Sequence, residues 1–538
     1  MITKNDYTLE AEFEKNSNKN EEPLHVIFDR KADSNPKGIS FIDSVVSHTF
    51  SEIKRYSEAL ASWMIDQGIG KGDVVSLHIP SSAEFAIANI AASRIGALVS
   101  PLHMTYGEKE LKELISFSGA KLLISDTSYS GKDLSEKVKG VVESTNINRV
   151  LINGDREFMK RGWDNFWEIC KSQRIYRNLP KVMASDPIGL FFTSGTETGE
   201  PKGCIHTHSS LMGNALSVCR DAEIDENGII MSGSAFSHLF GLLSMHLSLI
   251  SGSINVIVKR FHTDEFYSAA ERHKPTHVFL VPAELRDLLD LLGKPGDPFS
   301  EVKEFRIAGA MLPEEIALEL MKKTKGNLVN HWGMTELGAG SYTRHGDSRE
   351  IVAGTIGKPV QGAQIAILSE DGRFVINETG EILYRGPSLF KGYYKLSRYI
   401  DEFIYEINGE KWFKTGDLGM IDVDGNVRYM GRKKDIINRG GMKINSKEVE
   451  RILERMKGIE AACIVPVPDT RLGDKACLFY STTEKIGRSE ITEYLSSMGV
   501  AKYKWPEYFV VENSMPRTPT GKIAKGKLIE IAREMFSS

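Results

Sequence analysis

Four short segments carry side chains that could act on a charged substrate. The first, "FFTSGTETGEPKGCIHTH" at residues 191–208, follows two Phe with hydroxyls, glycines and a single Lys. Nothing between Thr193 and Gly203 can build a core. Gly195 and Gly199 let backbone amides turn toward an anion, Thr193, Ser194, Thr196 and Thr198 add hydroxyl donors, and Lys202 adds charge. Those are the parts of a phosphate-holding loop. It is not a Walker A loop, because Pro201 stands between Gly199 and Lys202 and a Gly follows the Lys.

The other three segments gain meaning from their order. "NHWGMTELG" (330–338) sets Glu336 beside Thr335, "WFKTGDLG" (412–419) sets Asp417 in a glycine turn, and "MPRTPTGKIAKGKL" (515–528) puts Lys522 behind Pro519 and Gly521 ahead of a helical pattern. Taken singly, a TGD reads as a turn and a lone Lys as a solvated side chain.

The elements that must position these residues are of two textures. Up to about residue 350 helical and strand patterns alternate. "SEIKRYSEALASWMIDQGIGKGD" is an amphipathic helix with Ser51 as its expected cap, "VVSLHIP" a strand, "SAEFAIANIAASRIGA" a helix and "LVSPLH" a strand. That βαβ order predicts a parallel sheet covered by helices. From about 350, "LSEDGRFVINETGEILYRG", "IYEINGEKWFKTGD" and "IDVDGNVRYMGR" carry DG and NG between short apolar runs, which predicts β-hairpins. "DVDGN" is a hairpin turn, since its Gly comes too early for a calcium loop. After "GRKKD" the alternation returns: Ser446 is the expected cap of a helix with Val449, Ile452, Leu453 and Met456 on one face, and "AACIVPVPD" is a strand. The reading is an α/β fold: a large N-terminal domain of parallel and mixed sheets over residues 1–431, β-rich from about 350, and a small α+β domain over 432–538.

Composition narrows the class. At 538 residues at least two domains are expected, and a net charge of −4 with 26% charged residues argues against a nucleic-acid binder. Five scattered cysteines without a CxxC pair fit a reducing compartment. The polar N-terminus and the interrupted apolar window "FGLLSMHLSLISGSINVIV" give no signal peptide or transmembrane segment, so a cytoplasmic protein is expected. His206 and His208 form an HxH pair with no third ligand evident, too few for a closed zinc site.

With the four segments in hand, together with "GTIGKP", "TGEILYRGPSLFKGYY" and "GRKKDIINRGGMKI", the chain resembles the adenylate-forming superfamily: acyl-CoA synthetases, peptide-synthetase adenylation domains and firefly-type luciferases. It is most similar to the AMP-forming acyl-CoA synthetases. The resemblance implies a mobile C-terminal lid hinged near Lys434, with ATP and substrate between the domains. A carboxylate would attack the α-phosphate of ATP, and a thiol, usually of coenzyme A, would then displace AMP. It further implies that the Thr193–Lys202 loop grips the β- and γ-phosphates, Thr335 contacts the α-phosphate and Glu336 holds Mg2+. Asp417 would take the ribose hydroxyls with Arg432 in support, and Lys522 would stabilise the adenylation transition state. Gly309, Ala310, Trp332, Gly333 and Met334 would complete the nucleotide wall. Gly440 and Gly441 would line the pantetheine passage of CoA. Phe236, His238 and Gly333 would line the acyl pocket, with His238 as a gate.

Two features refine this expectation. The loop reads TSGTETGEPKG where the family has TSGTTGxPKG, so Glu197 sits inside it and leaves the separate roles of Thr196 and Thr198 open. "SAFSHLFGLL" (234–243) carries no acid to pair with a substrate ammonium, which disfavours an amino-acid substrate, and Gly333 stands where acetate-specific relatives carry Trp. A medium-chain, long-chain or aromatic carboxylate is expected, with CoA as acceptor and a homodimer as the candidate assembly. The alternatives are an enzyme that loads a carrier protein and, more remotely, an inactive nucleotide-binding protein.

Overall fold

The computed structural model describes residues 22–43, 46–147, 149–154, 163–172, 174–176, 178–193, 201–395, 402–439, 442–469, 471–518 and 522–536. Their contacts gather into two units, one within residues 1–365 and 384–413, the other within 366–383 and 414–538.

Among its described residues the first unit holds two large sheets. In one, Val74–His78 lies between the parallel strands Leu98–Pro101 and Leu122–Asp126, and Pro187–Phe192 pairs parallel with Leu98–Pro101. Gly203–Thr207 closes that edge antiparallel to Pro187–Phe192. In the other, Ile254–Ile257, Ile229–Ser232, His277–Leu280, Glu304–Ile307 and Asn327–Met334 lie side by side, all parallel. The expected helix-covered parallel sheet is therefore present twice, each time with an antiparallel edge.

The helices show why. In Ala83–Ile95 every residue is buried, so this helix runs through the core and needs no polar face. Ser82 caps it by accepting the Phe85 N–H, and Gly96 ends it at φ 71°, a left-handed turn that glycine takes without strain. Its one basic side chain, Arg94, is neutralised by Asp29 at 2.7 and 2.5 Å and donates to Ser57 at 3.1 Å, tying three helices together.

Two expected caps move by one or two residues. Phe50–Asp66 is capped by Thr49, not Ser51: Thr49 and Glu52 form a reciprocal capping box, and Ser51 falls in the first turn because Phe50 is itself drawn into the core. Likewise Asn445, not Ser446, caps Ser446–Glu454, its side chain accepting from the Lys447 N–H.

The second unit is mainly antiparallel. Ile459–Asp469 pairs with Gly473–Thr482 along their lengths, Ile436–Arg439 pairs with Met442–Asn445, and Tyr508–Val511 joins parallel to Gly473–Thr482. Helices Ser446–Glu454 and Lys525–Phe536 bury Val449, Leu453, Leu528 and Ala532 among these strands. The hairpin of 414–421 with Val427–Arg432 belongs to this unit, so the β-rich stretch of 350–431 contributes strands to both units. Lys434 lies in the short 3-10 turn Lys433–Asp435, whose neighbours are fastened within the unit: Lys433 to Glu381 at 2.7 Å and Asp435 to Lys525 at 3.2 Å.

The five cysteines are free thiols, four of them buried. Among the described residues no helix is long and apolar enough to cross a membrane.

Candidate active site

In the first unit the parallel strands deliver the candidate residues at their carboxyl ends, where open α/β sheets bind ligands. Gly309 and Ala310 follow Glu304–Ile307 and are exposed, Gly309 at φ 85°. Trp332, Gly333 and Met334 end the strand Asn327–Met334, and Thr335 and Glu336 form the tight turn that leads into Gly338–Tyr342. Trp332 is buried, Thr335 half-buried and Glu336 buried.

That turn is clamped from several sides. His206 Nε2 lies 2.7 Å from the Thr335 carbonyl and its Nδ1 3.1 Å from Ser210 Oγ. Burial pushes this imidazole down to about 4, against the pull of the Thr335 carbonyl, so it is neutral at pH 7. Nε2 then carries the proton and donates to Thr335, and Nδ1 accepts from Ser210. The Asn214 amide brackets Ala339, donating to its carbonyl and accepting its N–H, each at 2.9 Å. The Glu336 carbonyl accepts the Phe390 N–H at 2.7 Å, and the Glu336 carboxylate accepts the Tyr393 hydroxyl at 2.8 Å.

The phosphate-loop stem is anchored to the same place. The Thr193 N–H donates to the Lys202 carbonyl at 3.0 Å, closing the loop's base, and residues 391–394 run beside Gly203–Ile205 through three backbone hydrogen bonds. Lys202 Nζ lies 5.3 Å from the Phe403 ring centre and 5.9 Å from that of Tyr393. Ser194, Gly195, Thr196, Thr198, Gly199 and the inserted Glu197 lie outside the described residues, as do Gly440 and Gly441.

On the acyl side, His238 stands at the cap position of helix Leu239–Ser251, half-buried, its ring centre 5.1 Å from that of His103. Phe236 is buried edge-on to Phe85, with its N–H on Ser81 Oγ at 3.0 Å, and is part of the core as much as of any pocket wall. Gly333 has a packing reason of its own. A Cβ there would sit 2.1 Å from the Gly338 carbonyl oxygen, so the strand pairing requires glycine whatever the length of the acid.

The second unit gathers three more candidates. Asp417 is directly opposite Arg432 in the hairpin register and pairs with its Nε at 2.8 Å. Gly416 takes φ 71°, and the Asp417 N–H rests on Thr415 Oγ1, which turns the buried carboxylate toward Arg432. Lys522 comes close enough to feel both charges. Crowding by surrounding atoms pushes its amine below the usual lysine range, the Arg432 charge adds to this, and Asp417 opposes it.

Sequence reasoning passed over Tyr393, Phe403, Asn214 and His103, and weighed His206 only as half of a metal pair. The pair is not formed: His206 serves Ser210 and Thr335, while His208 Nδ1 accepts the Leu24 N–H at 3.3 Å. The signal for Tyr393 in the sequence is "KGYY", a pair of tyrosines directly after a lysine and a glycine.

Residues 28–394 match the family model described as AMP-binding enzyme. The chain belongs to that family. Its relatives include the medium-chain fatty-acid–CoA ligase of Escherichia coli, 28% identical over 501 residues that cover 91% of this chain and 87% of the relative. The 2,3-dihydroxybenzoate-AMP ligase of Bacillus subtilis is 28% identical over 495 residues, 90% of this chain and 89% of that one. Among solved structures, ATP-bound MatB from Rhodopseudomonas palustris superposes with a TM-score of 0.85 at 22% identity, covering 96% of this chain and all of that one. The fold is thus that of the adenylate-forming enzymes, an ATP-dependent family of acyl-CoA ligases and adenylation enzymes.

Proposed function

We propose that this member of the family is an AMP-forming carboxylic acid–CoA ligase acting on a medium-chain, long-chain or aromatic acid. The observation that carries the reading is the convergence of Glu336 and Lys202 on Tyr393 beside the half-buried Thr335. A buried acid and a cation held in one place suit a polyphosphate and its metal.

In the proposed reaction a carboxylate oxygen attacks the α-phosphorus of ATP and the bond to pyrophosphate breaks. A thiol sulfur then attacks the acyl carbon, and AMP leaves. Two anions must meet, so charge neutralisation and positioning supply most of the rate. Lys202 takes the β- and γ-phosphates with the Thr193–Gly199 loop, and Thr335 takes the α-phosphate. Asp417 accepts the ribose hydroxyls with its two oxygens, supported by Arg432. Lys522 donates to the developing charge between carboxylate and α-phosphate. The lid of 432–538, hinged at Lys434, then withdraws Lys522 so that CoA can enter past Gly440 and Gly441, with His238 between acyl and thiol channels.

Glu336 fits a magnesium ligand: it is a buried carboxylate, held by the Tyr393 hydroxyl, with two oxygens of the hard type Mg2+ prefers, and Mg2+ is commonly held by one or two carboxylates plus substrate phosphates. Bound there, Mg2+ would offset phosphate charge.

The test is AMP release with ATP, Mg2+ and CoA over straight-chain, branched, cyclic and aromatic acids, with amino acids as controls. A CoA-dependent response to one acid class supports the proposal. Adenylate formation indifferent to CoA moves it to the second reading, transfer to a carrier protein.

A further inference from the structure

Tyr393 touches two groups with different roles in the proposed function, the magnesium carboxylate and the phosphate lysine. Its hydroxyl donates to Glu336 Oε1 at 2.8 Å, while its ring meets the Lys202 ammonium, Nζ 5.9 Å from the ring centre. The side chain has almost no freedom to do anything else. It is 3% exposed, its ring lies edge-on to Phe390 at 4.8 Å and to Phe403 at 5.2 Å, and its backbone is paired with Cys204. Phe390 and Phe403 are in turn packed on Phe413. A rigid aromatic box therefore holds one phenol at a fixed point between an acid and a cation.

We propose that Tyr393 is a positioning residue that sets the geometry of both the metal-binding carboxylate and the γ-phosphate lysine. The hydroxyl occupies one lone pair of Glu336 and fixes its rotamer, so that the carboxylate meets Mg2+ without first being ordered. The rings of Tyr393 and Phe403 give Lys202 a cation–π resting place. That contact keeps the ammonium extended near the loop stem, ready to move onto phosphate when ATP arrives. Phe390 extends the device to the backbone, since its N–H fixes the Glu336 carbonyl at 2.7 Å. The inference rests on the ligase reading given above.

The two functions of the ring separate by mutation. Tyr393→Phe removes only the hydroxyl and leaves the box filled. Tyr393→Leu removes the cation–π face as well. Magnesium would be titrated in acid-dependent ATP–pyrophosphate exchange, and binding of α,β-methylene-ATP would be measured by calorimetry with and without Mg2+. In Tyr393→Phe the half-saturating Mg2+ should rise about five- to tenfold, with the acid KM changed less than about twofold. Tyr393→Leu should weaken analogue binding further, including in the absence of Mg2+. The melting temperature of Tyr393→Phe should stay close to that of the wild type, separating positioning from folding. Magnesium curves that superimpose for wild type and Tyr393→Phe, while both bind the analogue, would overturn the inference and leave the ligase reading intact. A Tyr393→Phe variant whose acid KM rises as much as its Mg2+ requirement would also overturn it, because the damage would then be general. A wild type that neither exchanges nor binds the analogue would overturn the ligase reading itself, and this inference with it.

Discussion

The two units hold their charged groups by different means. Around Glu336 the partners come from distant stretches of chain: His206, Asn214, Phe390 and Tyr393 all converge on residues 335–339. Around Asp417 the first partner is local, since Arg432 stands directly across one hairpin. Histidine divides the same way. All thirteen histidines precede residue 346, so the second unit has none. Burial keeps His78, His208 and His246 near 3 and His206 near 4. In the first unit the candidate turn is thus fixed by long-range packing among neutral, desolvated histidines. In the second the candidate acid is fixed by a cation across one hairpin.

The largest effect that would sharpen this contrast is at Lys522. Lys522→Ala should slow adenylation about a hundredfold or more while leaving thioester formation from supplied acyl-adenylate nearly unchanged. Equal loss in both half-reactions would break the assignment. Because the amine is pushed below the usual lysine range, adenylation should fall on the alkaline side earlier than an ordinary lysine dictates, as the ammonium loses its proton. Lys522→Arg should move that limb beyond the measurable range, and a pH profile of pyrophosphate exchange checks both.

Next comes Asp417→Ala, which leaves Arg432 without its ion pair and removes the proposed ribose acceptor. The KM for ATP should rise about ten- to a hundredfold with a smaller change in the acid KM.

Acid should separate the two units. The buried histidines have folded values below their unfolded value near 6.5, so they contribute stability that is fully present above that pH and lost as pH falls toward 3 to 4. Each contributes a slope of about 1.4 kcal/mol per pH unit in that window. His345, raised by its 2.8 Å contact with Glu304, runs the other way and in a higher window, its stability lost as pH rises above 6.5 through its folded value. Thermal unfolding from pH 7 to 5 should therefore weaken the first unit first. His246→Leu, which removes a buried ring whose Nε2 has no hydrogen-bond partner among the described residues, should flatten the fall by one proton's share. An identical slope in that variant would remove His246 from the set.

The smallest expected effect is at a cap. Thr49→Ala breaks the capping box with Glu52 and should cost about 1 kcal/mol by denaturant titration, with no change in either half-reaction.

Much of this was legible in advance because it is local. Helix and strand periods gave Ala83–Ile95, Val74–His78 and Ser446–Glu454 to within a residue or two, and Asn408-Gly409 takes positive φ at both positions, as the NG hairpin signal requires. The ordered motifs around Lys202, Thr335–Glu336, Asp417 and Lys522 named the family that the comparisons show. Caps slipped because two neighbouring hydroxyls or amides are equally good acceptors until burial of Phe50 chooses between them.

What the sequence determined by itself is whatever depends on neighbours within a few residues: the turns, the periodic faces and the chemical inventory of each motif. Only the tertiary structure decided which inventories meet. It drew Tyr393 between Lys202 and Glu336, turned His206 from a metal candidate into a clamp on Thr335, and made Gly333 a matter of strand packing. Those outcomes depend on strand register and on which side chains share a desolvated space. Neither quantity is defined until segments far apart in the chain have packed.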